Sequence, residues 1–273
     1  MIFLKFNPPA ELRGIVKSFW ILECESASDQ VMDYSLFADN FPGLIFQFRG
    51  EKFNTKNKNG IYTPAPLCHY QGQMNTPELM TCKGSFGIIG VYFYSKATDL
   101  IFDLPATEVT NTTIDIDTLL GSEGKRMEEI IAEAANNRER LKALSNFLLR
   151  RLKRKKTTGN DVANALVQKL IEHNGNISMD RLCHYSGYSF RQMERIFKNT
   201  TGFSPKLFSR ILRFKYAVKL YEQNSYSRLG ELAYDSGYAD QSHFIRDFNS
   251  FSGISPRLYF KGLEETAGSF VRL

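Results

Sequence analysis

Apolar residues change their spacing along this chain, and the elements they predict change with them. Over residues 1–124 they fall in short runs rich in β-branched and aromatic side chains, at 15–23 (IVKSFWILE), 44–48 (LIFQF) and 88–94 (IIGVYFY). Pro42-Gly43, Gly60, Pro64, Pro66, Gly72, Pro77, Gly84 and Gly87 punctuate the rest as turns. Short runs between turn residues predict strands, and closely spaced strands predict a small barrel or sandwich. Over residues 125–156 the period lengthens. Met127, Ile130, Ile131 and Ala134, then Leu141, Leu144, Leu148 and Leu152, recur at three and four residues, as the buried face of a helical hairpin requires.

From residue 157 onward the helical period continues and the pattern is written twice. Leu182, Ser186, Gly187 and Tyr188 return as Leu232, Ser236, Gly237 and Tyr238; Phe197, Gly202, Ser204 and Pro205 return as Phe248, Gly253, Ser255 and Pro256. Two long units are too few for a solenoid, so they form a pair of equivalent modules. In each, Ser178 or Ser227 is placed to cap a short helix whose apolar side carries Met179 and Leu182, or Leu229 and Leu232. Gly187 or Gly237 then suits a turn with positive φ. A second helix follows Ser189 or Asp240, with Met193 and Phe197, or Phe244 and Phe248, four apart on one inner face. Gly202 or Gly253 stops it, and Ser204-Pro205 or Ser255-Pro256 starts the next helix. Helix, glycine turn and capped helix are the parts of a helix-turn-helix, whose second helix enters a DNA major groove.

With Met193, Ile196 and Phe197 inward, the first such helix presents Arg191, Gln192, Glu194, Arg195 and Lys198 outward. In the second, Ser242, Arg246 and Asn249 form the matching stripe, with Gln241 and His243 beside it. Arginine pairs bidentately with guanine, glutamine with adenine, and glutamate accepts from cytosine. For any one such stripe the plain alternative is solvated surface, and His243 equally suits a cap or a packing role; two matched stripes inside a duplicated module favour DNA reading. Phe244, Phe248, Met193 and Phe197 are core.

The residues 186–189 (SGYS), 195–198 (RIFK), 202–205 (GFSP), 237–238 (GY), 242–244 (SHF), Arg246, Phe248 and 253–259 (GISPRLY), with Arg213, Ala217 and Leu220 between the copies, resemble the AraC/XylS family of bacterial transcription regulators. The resemblance covers roughly residues 160 to 262. It implies an all-α tandem helix-turn-helix domain, with two recognition helices joined by one long helix and reading successive major grooves. It places base contacts on Arg191, Glu194 and Arg195, and on Gln241, Ser242, His243 and Arg246. The family usually has lysine where this chain has Asn249, and Asp247 is close by, so a weaker phosphate grip is expected in the second half. The Phe19-Trp20 pair, the Phe41-Pro42-Gly43 turn and the strand around Gly90 look more loosely like uncharacterised regulatory domains of such proteins.

Charge agrees with this division. Residues 1–124 carry 9 Lys and Arg against 14 Asp and Glu, residues 125–156 carry 11 against 4, and residues 157–273 carry 15 against 11. The acidic front is not the part that meets nucleic acid. Residues 150–156 (RRLKRKK) either add sequence-independent phosphate contacts or form a solvated helix end. No apolar run reaches membrane-span length, and residues 1–6 before Pro8-Pro9 are too short for a signal peptide, so a cytoplasmic protein is expected. Cys24, Cys68, Cys82 and Cys183 have no metal-binding spacing and read as reduced structural thiols. With His69 the sole histidine of the front half, a cupin-type metal site is not expected. Asp115 and Asp117, on one strand face, read as solvated rather than catalytic. No GxSxG, P-loop or GxGxxG is present, and neither enzymatic activity nor a cofactor is expected.

The expected fold is therefore α+β and multidomain: a β-rich regulatory domain (1–124), cupin-like barrel or sandwich, with a helical hairpin (125–156), and a tandem helix-turn-helix domain (157–273). Tyr34, Phe46, Phe48, Tyr92 and Tyr94 are the candidate lining for an unknown small-molecule effector, the alternative being that they fill the core. By resemblance the hairpin forms a homodimer interface; it equally suits packing on its own barrel. The expected function is regulation of transcription from double-stranded DNA, with activation through RNA polymerase implied by the resemblance. The rival reading is a DNA-binding regulator whose front half only dimerises or binds a protein.

Overall fold

A computed structural model describes residues 1–27, 29–56, 60–154, 161–223, 226 and 228–265, the side chains of 161 and 262–265 excepted. Residues 155–159, the end of the basic segment and the linker after it, lie outside that description. The chain divides into two compact units: Met1–Ser35, Phe41–Gln73 and Glu78–Thr158 form the first, and Leu36–Asn40, Met74–Pro77 and Gly159–Leu273 the second.

The first unit holds two sheets. Strands β1 (Ile2–Phe6), β2 (Val16–Cys24), β9 (Phe86–Phe93), β4 (Gly43–Arg49), β7 (Cys68–Gln71) and β10 (Thr113–Asp115) lie side by side in that order. Strands β3 (Val31–Leu36), β8 (Glu78–Lys83), β5 (Asn54–Lys56) and β6 (Tyr62–Pro64) make the other sheet. The three apolar runs of the sequence are β2, β4 and β9, the central strands of the larger sheet, where burial on both faces favours continuous apolar stretches. Among the described residues a short 3-10 turn (Ala10–Leu12) and four α-helices complete the unit: α1 (Lys96–Phe102), α2 (Ile116–Leu120), α3 (Ser122–Glu133) and α4 (Asn137–Arg154).

Register decides the faces. Phe46 pairs with Ile89 and Leu44 with Val91; Ile21 and Phe19 oppose the same two β9 residues from β2. These side chains share a core with Leu100, Ile101 and Phe102 of α1, Met127 and Ile131 of α3, and Leu144, Phe147 and Leu148 of α4. The helical hairpin thus packs on its own sheet. On the opposite face Trp20 opposes Gly90, where an added Cβ would come within 2.2 Å of the indole, so only hydrogen fits beneath that ring.

Three expectations change here. Ile130 is exposed, because the buried stripe of α3 narrows to Met127 and Ile131. Asp115 and Asp117 share no strand face: β10 ends at Asp115, whose carboxylate caps α2 by accepting from the Asp117 N–H at 2.8 Å. Arg151 is not free for phosphates, since it donates to Glu123 and to the Ile101 carbonyl, both at 2.7 Å. Arg154 pairs with the same Glu123 at 3.0 Å.

The second unit is helical: α5 (Asp161–Glu172), α6 (Met179–Ser186), α7 (Phe190–Thr201), α8 (Pro205–Gln223), α9 (Leu229–Asp235), α10 (Gln241–Ser252) and α11 (Pro256–Glu265). Its core includes Leu166, Leu170, Leu182, Met193, Phe197, Phe208, Phe214, Leu232, Phe244 and Phe248. Leu36–Asn40 is built into this unit. Phe37 meets Phe214 and Tyr259 at 5.9 and 5.5 Å, the Ala38 N–H donates to Phe251 O at 2.9 Å, and Asn40 Nδ2 donates to Phe208 O at 3.1 Å. Asp39 pairs with Lys215.

Candidate nucleic-acid interface

Helix α6 starts at Ser178, whose side chain accepts from the Arg181 N–H at 3.2 Å, and ends at Gly187 with φ +68°. Helix α7 then opens on a reciprocal cap. Ser189 accepts from the Gln192 N–H, and Gln192 Oε1 accepts from the Ser189 N–H at 3.2 Å and from its hydroxyl at 2.9 Å. Met193 and Phe197 are fully buried, and Gly202 closes the helix at φ +79°. Ser204 then accepts from the Leu207 N–H at 3.3 Å to start α8.

The second copy repeats these devices with variations. Arg228 stands at the start of α9 with no side-chain cap, and Ser227 lies outside the described residues. Ser236 closes α9 and Gly237 follows at φ +85°. Asp240 caps α10 by accepting from the His243 N–H at 2.7 Å, Gly253 closes it at φ +78°, and Ser255 caps α11. Phe244, Phe248 and Phe251 are buried, with Phe214 of α8 edge-on to Phe248 at 5.1 Å. The 19 residues of α8 span about 28 Å and carry one module into the next.

Both outward stripes are present. Arg191, Gln192, Arg195 and Lys198 are exposed on α7, with Glu194 half-buried; Gln241, Ser242, Arg246 and Asn249 are exposed on α10. Arginine and lysine at the first stripe, and Arg246 flanked by amides and a hydroxyl at the second, offer charge to phosphates and directed donors to base edges. Gln192 also serves the cap, which commits its carbonyl oxygen and leaves its amide donors. His243 is half-buried, with Tyr238 edge-on at 5.4 Å and Nε2 at 3.7 Å from Asp247 Oδ2.

Asp247 requires a correction. It does not stand on the exposed face of α10: its side chain is 1 % exposed and is paired with Arg210 of α8. The signal was present in the sequence, since Phe244, Asp247, Phe248 and Phe251 fall at i, i+3, i+4 and i+7, which puts the carboxylate within the apolar stripe. Its partner, 37 positions away, gave no local signal.

The five candidate effector-lining rings are not brought together. Phe46 and Phe48 share one side of β4, Phe46 within the helix-facing core and Phe48 beneath the Arg140 guanidinium at 4.0 Å. Tyr92 projects from the other face of the sheet, against Trp20 at 5.7 Å. Tyr34 is buried against Phe53 and Phe86, and Tyr94 lies edge-on to Phe41. Two surface grooves are lined by none of them: one of about 1190 Å³ beside Tyr221, Leu229, Gln241, Ile245 and Phe260, and one of about 690 Å³ beside Arg126, Met127 and Arg150. His69 is buried with Nδ1 at 3.0 Å from Pro66 O, and burial pushes its pKa down to about 4. Among the described residues no group of three or more His, Cys, Asp and Glu could hold a metal, and no helix is long and apolar enough to cross a membrane.

Comparison with known proteins assigns the two ends of the chain differently. Residues 182–262 match a helix-turn-helix domain family, and residues 4–115 match a domain of unknown function, DUF6597. No curated protein matches the chain. Among solved structures, ToxT of Vibrio cholerae at 1.65 Å is similar at 14 % identity and TM-score 0.51, over 90 % of this chain and 98 % of that one. ToxT bound to (E)-4-(8-methylnaphthalen-1-yl)but-3-enoic acid is similar at 15 % identity and TM-score 0.51, over 90 % and 100 %. The DNA-binding domain of AdpA in complex with a target DNA covers 38 % of this chain and 93 % of its own length at 24 % identity, with TM-score 0.36. At these identities the ToxT likeness establishes a shared fold, a β-rich front half followed by a helical helix-turn-helix region.

Proposed function

We propose, from the match of residues 182–262 to a helix-turn-helix domain family, that this chain is an AraC-type, sequence-specific transcription regulator whose two recognition helices, α7 and α10, read two short blocks of double-stranded DNA. The observation that carries the reading is the pair of capped helices on one connector, each with a buried apolar stripe and an exposed polar one. Arg191, Gln192, Glu194, Arg195 and Lys198 take the first block, and Gln241, Ser242, His243 and Arg246 the second. Arginine donates to guanine and Gln241 pairs with adenine, while Lys198 holds the phosphate backbone. The protein acts in the cytoplasm as an activator contacting RNA polymerase, and as a homodimer through α3 and α4.

In this proposal the front half senses a small molecule. That ToxT is seen with an aryl butenoic acid supports the idea of an effector in a fold of this kind. A ligand would act by stabilising one arrangement of the regulator over another. A second reading, a front half that only dimerises or binds a protein, is favoured by Phe46 and Tyr34, which are packed as core rather than gathered around a cavity.

The test is selection of random duplex DNA on the full-length protein, followed by Arg195→Ala and Arg246→Ala. Wild type should enrich two blocks about one helical turn apart. Each alanine variant should lose about 1 to 3 kcal/mol and relax base preference in one block. Losses equal on every sequence would remove the base-reading role of those arginines; failure of wild type to enrich any sequence would remove the reading itself.

A further inference from the structure

The two recognition helices are anchored to the core by different chemistry. On α7 the buried stripe is Met193 and Phe197 with Thr201. On α10 the corresponding stripe contains a carboxylate, Asp247, between Phe244 and Phe248. Arg210 reaches it from the connector α8: Nη2 donates to Oδ1 at 2.6 Å, and Nε donates to Oδ1 at 3.1 Å and Oδ2 at 3.3 Å. The same guanidinium lies over the Phe251 ring at 5.3 Å. Across the carboxylate, His243 Nε2 stands 3.7 Å from Oδ2, one helical turn before Asp247 and against Tyr238. Tyr238 in turn carries Arg213 of α8 over its face at 5.2 Å.

Stability alone does not account for this arrangement. Taking the Asp247 carboxylate out of water, beside an Arg210 side chain still 34 % exposed, costs roughly what the attraction returns, and well-packed apolar residues in place of such a pair are commonly as stable or more so. What a guanidinium fork on a carboxylate adds is direction. The pair satisfies its hydrogen bonds in one orientation, whereas two apolar surfaces tolerate rotation and sliding. Here the fork joins the connector to the inner face of the helix that carries Gln241, Ser242 and Arg246 outward, and the carboxylate also faces the His243 ring.

We propose that Arg210 and Asp247 are positioning residues for the second recognition helix. They fix the rotation of α10 on α8 and the placement of the His243 ring, so that Gln241, Ser242 and Arg246 meet their block of DNA together. Preference at the second block then depends on an ion pair between the buried Asp247 and the half-buried Arg210, on the inner side of α10, while preference at the first block does not. This inference rests on the DNA-reading function proposed above.

The experiment uses full-length protein and the duplex that wild type selects from random DNA, with two derivatives in which the first or the second block is scrambled. The double variant Arg210→Met/Asp247→Leu should melt at or above the wild-type temperature. Its preference for the intact second block should fall about tenfold or more, and its preference for the first block should stay within about twofold of wild type. Asp247→Asn keeps the shape and weakens the fork; it should shift the same ratio in the same direction, which secures the comparison if the double variant does not fold. Wild-type preference at both blocks in the folded variants, or equal loss at both, overturns the inference. If wild type selects no sequence, the DNA-reading function falls first and the inference with it.

Discussion

His69 is a buried histidine in surroundings that disfavour its charged form. Buried on β7 beside Pro66 O, it is held neutral, with its pKa near 4 against an ordinary value of 6.5. The unfolded chain binds a proton below pH 6.5 and the native one does not until about pH 4. Stability should therefore be full above pH 6.5 and decline as the pH falls toward 4, by at most about 1.4 kcal/mol per unit. Urea unfolding from pH 7 to 4.5 checks this, with His69→Asn, which keeps a donor for Pro66 O, expected to flatten part of the slope; identical slopes would assign the acid sensitivity elsewhere. That His69 stands alone in the front half was legible in the sequence, but its burial was not, because it follows from the pairing of β7 between β4 and β10. On the outer face of α7 the exposed residues were legible one by one, since helical period alone sorts Arg191, Arg195 and Lys198 from Met193 and Phe197. Gln192 was placed outward too, though its second duty in the cap came from geometry.

At the scale of elements, the caps and turns decide where α7 and α10 begin and end. Ser189→Ala removes one half of the cap on α7 and should cost about 1 kcal/mol, measured as a lower urea midpoint. Gly237 is more demanding. It holds φ +85°, and a Cβ there would lie 1.9 Å from Asn176 Oδ1, whose Nδ2 donates to Ser236 O at 3.2 Å. Gly237→Ala combines an adverse backbone conformation with displacement of that amide, and should cost about 1 to 3 kcal/mol. A melting temperature equal to wild type would show that the turn relaxes. The glycine turns, Ser178, Ser189 and Asp240 were all readable from spacing, because a cap is a contact within three residues. Helix α1 was not: its seven residues are too few to display a period.

At the scale of the molecule, the second unit is not a continuous stretch of chain. Phe37, Ala38 and Asn40 contribute a half-buried ring in contact with two others and two backbone-directed hydrogen bonds to it. A fragment of residues 159–273 lacks them. It should be less stable than the same unit in the full chain by about 3 to 5 kcal/mol, counting a lost aromatic burial and two hydrogen bonds. Trp20, the single tryptophan, lies in the first unit, so fluorescence is blind to this difference. Amide hydrogen exchange in α8 reports it: faster exchange in the fragment is expected, and equal protection would show that the Leu36–Asn40 segment is dispensable. The division into a β-rich front and a helical back was clear from the change of apolar period, whereas the inclusion of Leu36–Asn40 with the back was not, because nothing local in that segment names its partner.

The sequence by itself determined the local grammar: which runs become strands, where the tandem helices start and stop, and which side chains of α7 and α10 face outward. Those properties arise from contacts within one helical turn or one strand period, so neighbouring residues suffice to specify them. Tertiary structure alone decided the rest. Strand register separated Phe46 from Tyr92 on opposite faces of one sheet. Packing gave Asp247 its partner Arg210, and docking carried Phe37 and Asn40 into a unit most of whose residues follow Gly159. Each of these joins residues tens of positions apart, and such pairs become neighbours only when burial of the whole core compensates for the entropy of closing the intervening loops.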